Sequence, residues 1–540
     1  MKRTKLGKEG GLAAIIALMV MVMMTLAGIA AMKISSDEVD IAGNEMNEMA
    51  AFYAAEAGLE QATAAIMAQY ETSNSPPSVM PSGSVTINDC VTAYNTVDNG
   101  AVKQEVLALG TLAGLNALIK TFSVTSTGVS QVDGGRMELY EDFQVALVPL
   151  FQFAVFYGND LEIAPGPDMT LIGRVHSNGD LWVQSNNNLY MESFVTCSGD
   201  LKHGRKGPGA VGSGNVFIKD TDGNYQNMKN GDGSYLQASD ADWYDSALTR
   251  WDGRVQDAAF GQNDLNLPLS TVGDPHKLIE RGTGNTDSYE HKADLKIIDG
   301  QAYADVGGIW TNITPSLPPG TITSSTFYDG REGQNVSATD VDMSLLKTTS
   351  YFPANGVIYS SDQTAGSFNA LRLKNGADLG RPLSIFSENP MYVQGDYNSV
   401  NKMPAALAAD AVTFLSNSWD DSKSALTVND REASSTTCNA CVMTGNTNTT
   451  GSNYNGGLEN LPRFLEKWTS KRFTFRGSLV NLWNSQQANG PWSYGSYYTA
   501  PIRDWSYDTD LDDPSKLPPE TPTIRIFQRV GWKQEFVGFE

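Results

Sequence analysis

The sequence predicts an α+β protein in which a long N-terminal transmembrane helix is followed by a small antiparallel sheet and a large mainly-β domain, expected to be a parallel β-helix. Three observations predict this. An uncharged apolar run extends from Gly11 to Met32 and continues without proline to Tyr70. Between residues 85 and 150, apolar and polar residues alternate with period two. Beyond residue 151, short apolar stretches alternate with Gly-, Asn- and Asp-rich corners.

The apolar run is long enough to cross a bilayer, since as a helix it spans roughly 30 Å. Basic residues precede it and acidic residues follow it, which places the N-terminus in the cytoplasm and the rest of the chain outside. A cleaved secretory signal is the alternative, with Ala27, Ile29 and Ala31 offering a small-x-small site. The length of the run, and its continuation into helix-forming residues, favour a retained helix.

The residues of this helix resemble a known family. The segment Gly11–Leu18, the triplet Ala42-Gly43-Asn44 and the block Ala51–Leu59 (AFYAAEAGL) resemble the PilX N-terminal domain of type IV pilus assembly proteins. The resemblance implies a short basic leader, residues 1–11, removed by a prepilin peptidase after Gly11, or after Gly10 if the register shifts by one. The mature chain would begin at Leu12 or Gly11, and residues 12–72 would form the membrane and filament-core helix.

The resemblance also implies which subunit type this is. Major pilins carry Glu at the fifth mature position, whereas this chain has Ile16 there, or Ile15 in the other register. A subunit without that carboxylate does not bury a charge beneath its neighbour, which suits a minor or tip subunit. The side chains expected to pack in the membrane and the filament are Ile15, Ile16, Leu18, Leu26 and Ile29.

A small headpiece is predicted at residues 73–150. Pro76, Pro77 and Pro81 break the helix, and the alternating residues after them indicate half-buried antiparallel strands. We expect this sheet to pack on the outer half of the helix. The helix residues expected at the contact are Phe52, Tyr53, Ala55, Glu56 and Leu59.

The remaining residues, 151–540, are predicted to form one exposed, solenoid-like domain. Gly179-Asp180-Leu181 and Gly199-Asp200-Leu201 lie twenty residues apart, which is about one coil of a parallel β-helix. Residues 215–360 lose this rhythm and are expected to be an insertion or long loops. Later phrases such as Arg503-Asp504-Trp505 resemble an uncharacterised β-rich region attached to PilX-type N-termini, and they imply no mechanism.

The charge of the chain excludes one class of partner. A formal net charge of −23 leaves no broad basic surface for neutralising phosphates, so nucleic acid is not an expected partner. Abundant Gly, Asn, Ser and Thr with normal hydrophobic content indicate a turn-rich β protein displayed outside the cell.

Several motifs are candidates for a metal, redox or binding site. Cys438 and Cys441 have the spacing of a redox pair or half a zinc site, but without a second such pair they indicate a local disulfide or two free thiols. His176, in a strand-to-corner phrase, is expected to hydrogen-bond that corner. The C-terminal aromatic residues indicate core and lid packing, with a sugar- or surface-binding platform as the alternative. These aromatic residues are Trp468, Trp483, Trp492, Tyr497, Tyr498 and Trp505.

Two acidic stretches are candidates for calcium sites. Asp220, Asp222 and Asn224 begin like a calcium loop, but Tyr225 stands where Gly is needed and Gly231 where the bidentate Glu belongs. The denser run contains Asp508, Asp510, Asp512 and Asp513. Solvated turns are the favoured interpretation of both stretches, so no cofactor is predicted and calcium remains an option.

The sequence therefore predicts a structural protein and no enzyme: a minor-pilin-like or pseudopilin-like subunit of a type IV pilus or type II secretion machine. Its large domain would serve assembly, adhesion or aggregation. The expected partners are other pilins, the inner membrane and prepilin peptidase, and the expected location is the inner membrane before assembly, then the pilus, cell surface or periplasm. Two alternatives remain open, a membrane-tethered surface scaffold outside any filament and a carbohydrate-active β-helix enzyme.

Overall fold

The computed structural model describes residues 9–73, 75–108, 110–132, 134–207, 209–269, 273–450 and 453–539. Residues 1–8, which make up most of the predicted leader, lie outside this description. The chain divides into two compact units. Unit 1 comprises Met1–Val102, Lys120–Val145 and Phe527–Glu540, and unit 2 comprises Lys103–Ile119 and Ala146–Ile526. The domain boundaries placed after residues 72 and 150 stay predictions.

The described residues form one very long α-helix and three short ones. Good helix formers fill the long helix, which explains why it continues unbroken past Gly43 and Gly58. In chain order the helices are α1 (Glu9–Ser73), α2 (Trp243–Trp251), α3 (Tyr289–Lys292) and α4 (Met343–Leu346).

In the described part of the chain the strands outnumber the helices. The first nineteen are β1 (Ser82–Ile87), β2 (Cys90–Asp98), β3 (Lys103–Val106), β4 (Asn116–Ser130), β5 (Gly135–Pro149), β6 (Phe153–Tyr157), β7 (Leu161–Ile163), β8 (Met169–Leu171), β9 (Arg174–Ser177), β10 (Leu181–Val183), β11 (Asn188–Met191), β12 (Val195–Cys197), β13 (Leu201–His203), β14 (Asn215–Lys219), β15 (Tyr225–Asn227), β16 (Val255–Gln256), β17 (Leu295–Ile298), β18 (Gln301–Asp305) and β19 (Trp310–Asn312). The others are β20 (Ile322–Asp329), β21 (Gln334–Asp342), β22 (Val357–Ser361), β23 (Phe368–Lys374), β24 (Leu383–Ser387), β25 (Met391–Gln394), β26 (Ala405–Ala409), β27 (Val412–Leu415), β28 (Thr436–Asn439), β29 (Cys441–Thr444), β30 (Arg463–Phe464), β31 (Arg472–Gly477), β32 (Leu479–Asn481), β33 (Ile502–Tyr507) and β34 (Thr523–Phe539).

The sheet of unit 1 has the neighbour order β1-β2-β4-β5-β34. Strands β1 and β2 pair antiparallel, as do β2 and β4. Burial alternates along β4 from Phe122 to Ser130, because successive side chains point to opposite faces of the sheet. The period-two pattern in the sequence predicts this alternation.

In unit 2, parallel strands stack at a spacing of twenty residues. Leu181 of β10 is in register with Leu161 of β7 on one side and with Leu201 of β13 on the other. The same spacing joins Val195 of β12 to Val175 of β9. All five side chains are buried, so each coil adds an apolar layer to the one before it.

Aspartate side chains join the corners of successive coils through hydrogen bonds. The backbone N–H of Asp180 donates to Asp160 Oδ1 at 2.8 Å, and that of Asp200 donates to Asp180 Oδ1 at 2.9 Å. Glycine precedes each because space is absent: a Cβ on Gly179 would stand 2.3 Å from Asp160 Oδ1, and one on Gly199 would stand 2.6 Å from Asp180 Oδ1. The repeated Gly-Asp-Leu phrase thus encodes a stacked corner.

The longest sheet of unit 2 is assembled out of chain order. Its neighbours run β16-β12-β9-β6-β32-β29-β26-β24-β22-β17-β18-β19. The chain leaves β6 toward the β16 edge, starts again near the opposite edge with β17, β18 and β19, and returns until β32 pairs with β6. That parallel pairing aligns Leu479 with Val155 and Asn481 with Tyr157.

The α+β prediction of a long helix followed by a large β-rich region is confirmed, but a closed parallel β-helix is not shown. Antiparallel pairs such as β17–β18 and β20–β21 interrupt the parallel ladders, and the sheets are mixed and do not close. Residues 215–360 are not loops throughout, because they contain β14 to β21 and helices α2 to α4. Their status as an insertion stays a prediction.

Candidate functional site

The first half of α1 presents an apolar surface that no described residue of unit 1 covers. Ile15, Ile16, Leu18, Leu26 and Ile29 are each more than half exposed, between 54% and 61%. By length and composition this stretch can cross a membrane, and its apolar window is entirely unburied. The hydrophobic effect drives such a surface into a bilayer or against other apolar helices.

The second half of α1 is held by the sheet of unit 1 along one stripe. Ala55, Leu59, Ala62, Ile66 and Tyr70 recur every three or four residues, which places them on one helix face, and all are buried. Their partners on the sheet are Phe122, Val124, Leu139, Phe143 and Val145. The stripe starts inside the Ala51–Leu59 block.

Two glycines set how closely the helix approaches the sheet. A Cβ on Gly128 of β4 would stand 2.0 Å from the carbonyl oxygen of Ala51 and 2.8 Å from the backbone nitrogen of Ala55. A Cβ on Gly58 of α1 would stand 2.2 Å from Ser126 Oγ and 2.9 Å from Thr92 Oγ1. Helix and strand backbones therefore meet here with no room for a methyl group.

The predicted contact residues separate into two groups. Ala55 and Leu59 are buried under the sheet, and Phe52 is half-buried, with its ring 6.3 Å from that of Trp532 in an edge-to-face arrangement. Tyr53 and Glu56 are exposed and lie away from the buried stripe. Sequence reasoning missed Trp532 and Gly128, because their closeness to α1 depends on long-range pairing.

A charged cluster borders this contact. Arg529 of β34 places Nη2 2.6 Å from Glu60 Oε1 and Nε 3.3 Å from Glu141 Oε1. Burial raises the pKa of the Glu141 carboxyl, and the nearby Arg529 opposes that rise. Arg529 thus supplies a cation beside a carboxylate that is itself removed from water.

The N-terminal part of α1 is similar to a known protein family. The family model described as PilX N-terminal matches residues 10–60. Residues 10–60 are therefore similar to the PilX N-terminal domain, and they are called the PilX segment below. The predicted resemblance is therefore confirmed, and the chain joins this pilin-like segment to a β-rich C-terminal region.

The other comparisons add little to the PilX match. No curated protein is significantly similar to the chain. The crystal structure of the competence-associated pilin ComZ from Thermus thermophilus is similar over 91% of this chain and 98% of its own, at 13% identity and a TM-score of 0.35. A likeness at that score carries no argument here.

The processing residues lie at the start of the PilX segment. Gly10, Gly11 and Leu12 are all within α1, which begins at Glu9. Leu12 is exposed. Cleavage at Gly11 or Gly10 stays a prediction.

Cys438 and Cys441 are free thiols in this structure, and a disulfide between them stays a prediction. They end up on consecutive strands, β28 and β29, and both are buried. Burial raises the pKa of each thiol, which makes them poor nucleophiles and poor metal ligands.

The acidic stretches are occupied by partners from the protein. Asp220 accepts hydrogen bonds from the Asn224 backbone and the Gln226 side chain, both at 2.8 Å. Lys402 Nζ lies 2.8 Å from Asp508 Oδ2 and 2.7 Å from Asp510 Oδ2. Among the described residues no group of three or more His, Cys, Asp and Glu side chains could hold a metal ion.

His176 lies at its coil corner and is fully buried. Its Nδ1 is 2.8 Å from Thr196 Oγ1 and its Nε2 is 2.9 Å from Asn178 Oδ1. Burial lowers its pKa to about 4, so the ring is neutral at neutral pH and serves the corner as a hydrogen-bonding group.

Proposed function

We propose that this chain is a minor-pilin-like or pseudopilin-like structural subunit of a type IV pilus or type II secretion machine. The observation that carries the proposal is the combination found in α1. The PilX N-terminal family model matches residues 10–60. The apolar first half of α1 is exposed, and the second half of α1 packs against the sheet of unit 1. A helix built this way is free to enter a membrane and then bundle with similar helices.

The proposed life cycle follows from that division. Prepilin peptidase removes the leader, Leu12 to Met32 anchor the subunit in the inner membrane, and the same surface later packs against other pilins in the filament. With Ile16 or Ile15 at the fifth mature position, the subunit brings no buried carboxylate to its neighbour. This supports a minor or tip position over a main filament position.

The large β-rich region is proposed to be an interrupted parallel β-helix displayed at the pilus or cell surface for assembly, adhesion or aggregation. Two observations support this. Strands β7, β10 and β13 pair in parallel with partners twenty residues apart, and hydrogen bonds to aspartate join the corners at Asp180 and Asp200. Stacked coils of this kind make an extended surface that suits recognition of large partners.

The test is the intact mass and N-terminal sequence of the protein, produced with and without prepilin peptidase. We expect a mature chain beginning at Leu12, or at Gly11 in the shifted register, only when the peptidase is present. If the cut follows Gly11, Gly11→Val should abolish processing because the peptidase would no longer meet glycine before the cut. Gly28→Val, in the apolar run but away from the cut, is the matched control and should be processed normally.

Two results would contradict the proposal. A mature chain starting beyond Ala31 would mean that the apolar run is a removable signal. A correctly processed chain that never co-purifies with sheared filaments or with other pilins would favour the tethered-scaffold alternative.

A further inference from the structure

A groove in unit 2 is lined by aromatic rings and arginines that the pilin proposal does not use. It has a cavity volume of about 500 Å³ and is lined among others by Arg205, Tyr454, Trp492, Tyr494 and Arg503. A second cavity of about 420 Å³ shares Pro167, Ala500 and Arg503 with the first and extends to Trp505. The two are therefore contiguous, and together they are called the aromatic groove below.

The rings of the aromatic groove are held in place by their own contacts. Tyr454 and Trp492 meet edge to face at 5.2 Å between ring centroids. Trp492 Nε1 donates a hydrogen bond of 2.9 Å to Tyr498 Oη, and the buried Tyr498 in turn donates to Asn460 Oδ1. Tyr494 stands against Tyr498 with 60% of its surface exposed. Rigid, partly exposed rings of this kind offer contact area at low entropic cost.

Arg205 lies across one of these rings. Its guanidinium carbon is 4.1 Å from the centroid of Tyr454, and its Nε is 3.7 Å from Glu162 Oε1. Glu162 already accepts from Tyr454 Oη at 2.5 Å and from the backbone of Lys206 at 3.0 Å. The Nε of Arg205 is buried and has no hydrogen-bond partner among the described residues, while the Tyr454 ring and Glu162 hold the guanidinium in place.

Arg503 provides a second partly unused guanidinium at the junction of the two cavities. Its Nη2 donates to the carbonyl of Glu459 at 3.1 Å, and its guanidinium carbon is 5.4 Å from the Trp505 ring. Its Nε is buried without a partner in the described residues. Two guanidiniums along an aromatic wall are suited to carboxylates presented on a flat, ring-built ligand.

We propose that the aromatic groove binds an acidic oligosaccharide, a chain of sugar rings that carry carboxylates. The rings of Tyr454, Trp492 and Tyr494 would stack on the C–H faces of the sugars, and Arg205 and Arg503 would pair with the carboxylates. The two contiguous cavities fit a chain of several sugars better than a single small molecule. Single-stranded nucleic acid also stacks on aromatic rings, so a hexanucleotide is included in the test below.

The test is calorimetric titration of the detergent-solubilised full chain with oligogalacturonate, oligomannuronate and oligosialate, beside neutral cellohexaose and a deoxythymidine hexamer. We expect at least one acidic oligosaccharide to bind with a dissociation constant below about 1 mM and at least tenfold more tightly than cellohexaose. Tyr494→Ala, Trp492→Ala and Arg205→Gln should each weaken that binding by about tenfold or more.

The controls separate binding from folding. Trp310→Ala and Arg381→Gln replace the same residue types elsewhere in unit 2 and should leave the affinity unchanged. Tyr494 is exposed, so its variant keeps the test decisive if Trp492→Ala lowers stability.

Absence of binding to all three acidic oligosaccharides, equal binding of cellohexaose, or tighter binding of the hexanucleotide would each overturn the proposal. The groove lies wholly within unit 2, so these outcomes leave the processing test of the pilin proposal untouched.

Discussion

Gly128 of β4 lies directly against Ala51 of α1, at a distance where an added methyl carbon would stand 2.0 Å from the Ala51 carbonyl oxygen. This contact joins the first residue of the AFYAAEAGL block to the C-terminal end of β4. It shows what the block does in the fold: it brings the helix backbone down onto a strand that has no side chain at that point.

Gly128→Ala should therefore loosen unit 1. The new methyl must push the helix backbone away, and overpacking of this kind costs about 1–3 kcal/mol, more where the backbone cannot shift. Differential scanning calorimetry and limited proteolysis should show a lower Tm and faster cleavage between α1 and β1. Gly43→Ala is the matched control, because nothing lies within 4 Å of its added Cβ. It should be neutral or slightly stabilising, since Ala favours a helix more than Gly.

Gly58→Ala should destabilise unit 1 by a mechanism that can be rescued. Its methyl would meet the hydroxyls of Ser126 and Thr92, which are 3.1 Å apart and buried together. Because the obstacle is a side chain, Ser126→Ala should recover part of the lost Tm in the double variant. Purely additive losses would show that the close approach is not what limits this position.

Arg529→Gln should destabilise unit 1 more at pH 8 than at pH 4. The substitution leaves the buried Glu141 carboxylate without its cation, and burial already raises the pKa of that carboxyl. At acid pH Glu141 is protonated and needs no cation, so the penalty disappears. The Tm difference from wild type, measured at both pH values, checks this.

Two variants sharpen the Arg529 experiment. Adding Glu141→Gln to Arg529→Gln should restore most of the stability at pH 8. Lys533→Gln removes a lysine that pairs with the exposed Glu535 at 3.1 Å and should change little at either pH. An equal loss at pH 4 and pH 8 for Arg529→Gln would contradict the role given to Glu141.

The stability of unit 2 should fall as the pH rises from about 4.5 to about 7. Burial raises the pKa of Glu466 to about 7 from an ordinary value of 4.5, even though the carboxylate accepts from the Ser416 backbone at 2.6 Å and its hydroxyl at 2.7 Å. Burial also raises the pKa of Glu459 to about 7. The neutral carboxyl stabilises the fold fully below pH about 4.5, and this contribution is lost as the pH passes the folded-state pKa.

Denaturant titrations at pH 5 and pH 8 measure this effect. A shift of this size corresponds to a loss on the order of 3 kcal/mol per group at most. Glu466→Gln keeps the hydrogen-bonding shape without a charge and should flatten the pH dependence. A wild-type midpoint that rises with pH would show that these carboxyls are ionised in the folded protein.

Gly199→Ala should disrupt the stacked corner of unit 2. The methyl would stand 2.6 Å from Asp180 Oδ1 and 2.8 Å from the Asp180 backbone nitrogen, which are parts of the corner below. We expect a lower Tm by calorimetry. Gly231→Ala, with nothing within 4 Å of its Cβ, should be tolerated and serves as the control.

The sequence by itself determined the features whose signals are local. The length and apolar surface of α1, the alternation along β4, and the twenty-residue return of Gly-Asp-Leu can be read without coordinates. Each reflects a fixed geometric period: 3.6 residues in a helix, two in a strand, and one coil in a stack.

Only the tertiary structure decided which distant segments meet. No local sequence pattern predicts that β32 pairs with β6 more than three hundred residues earlier. Nor does one predict that antiparallel hairpins keep the sheets from closing as one β-helix. Gly128 beneath Ala51 and Arg205 over Tyr454 are likewise set by long-range pairing. The physical reason is that chain-local periods fix which face of an element is apolar, while the choice of partner depends on the packing of all elements together.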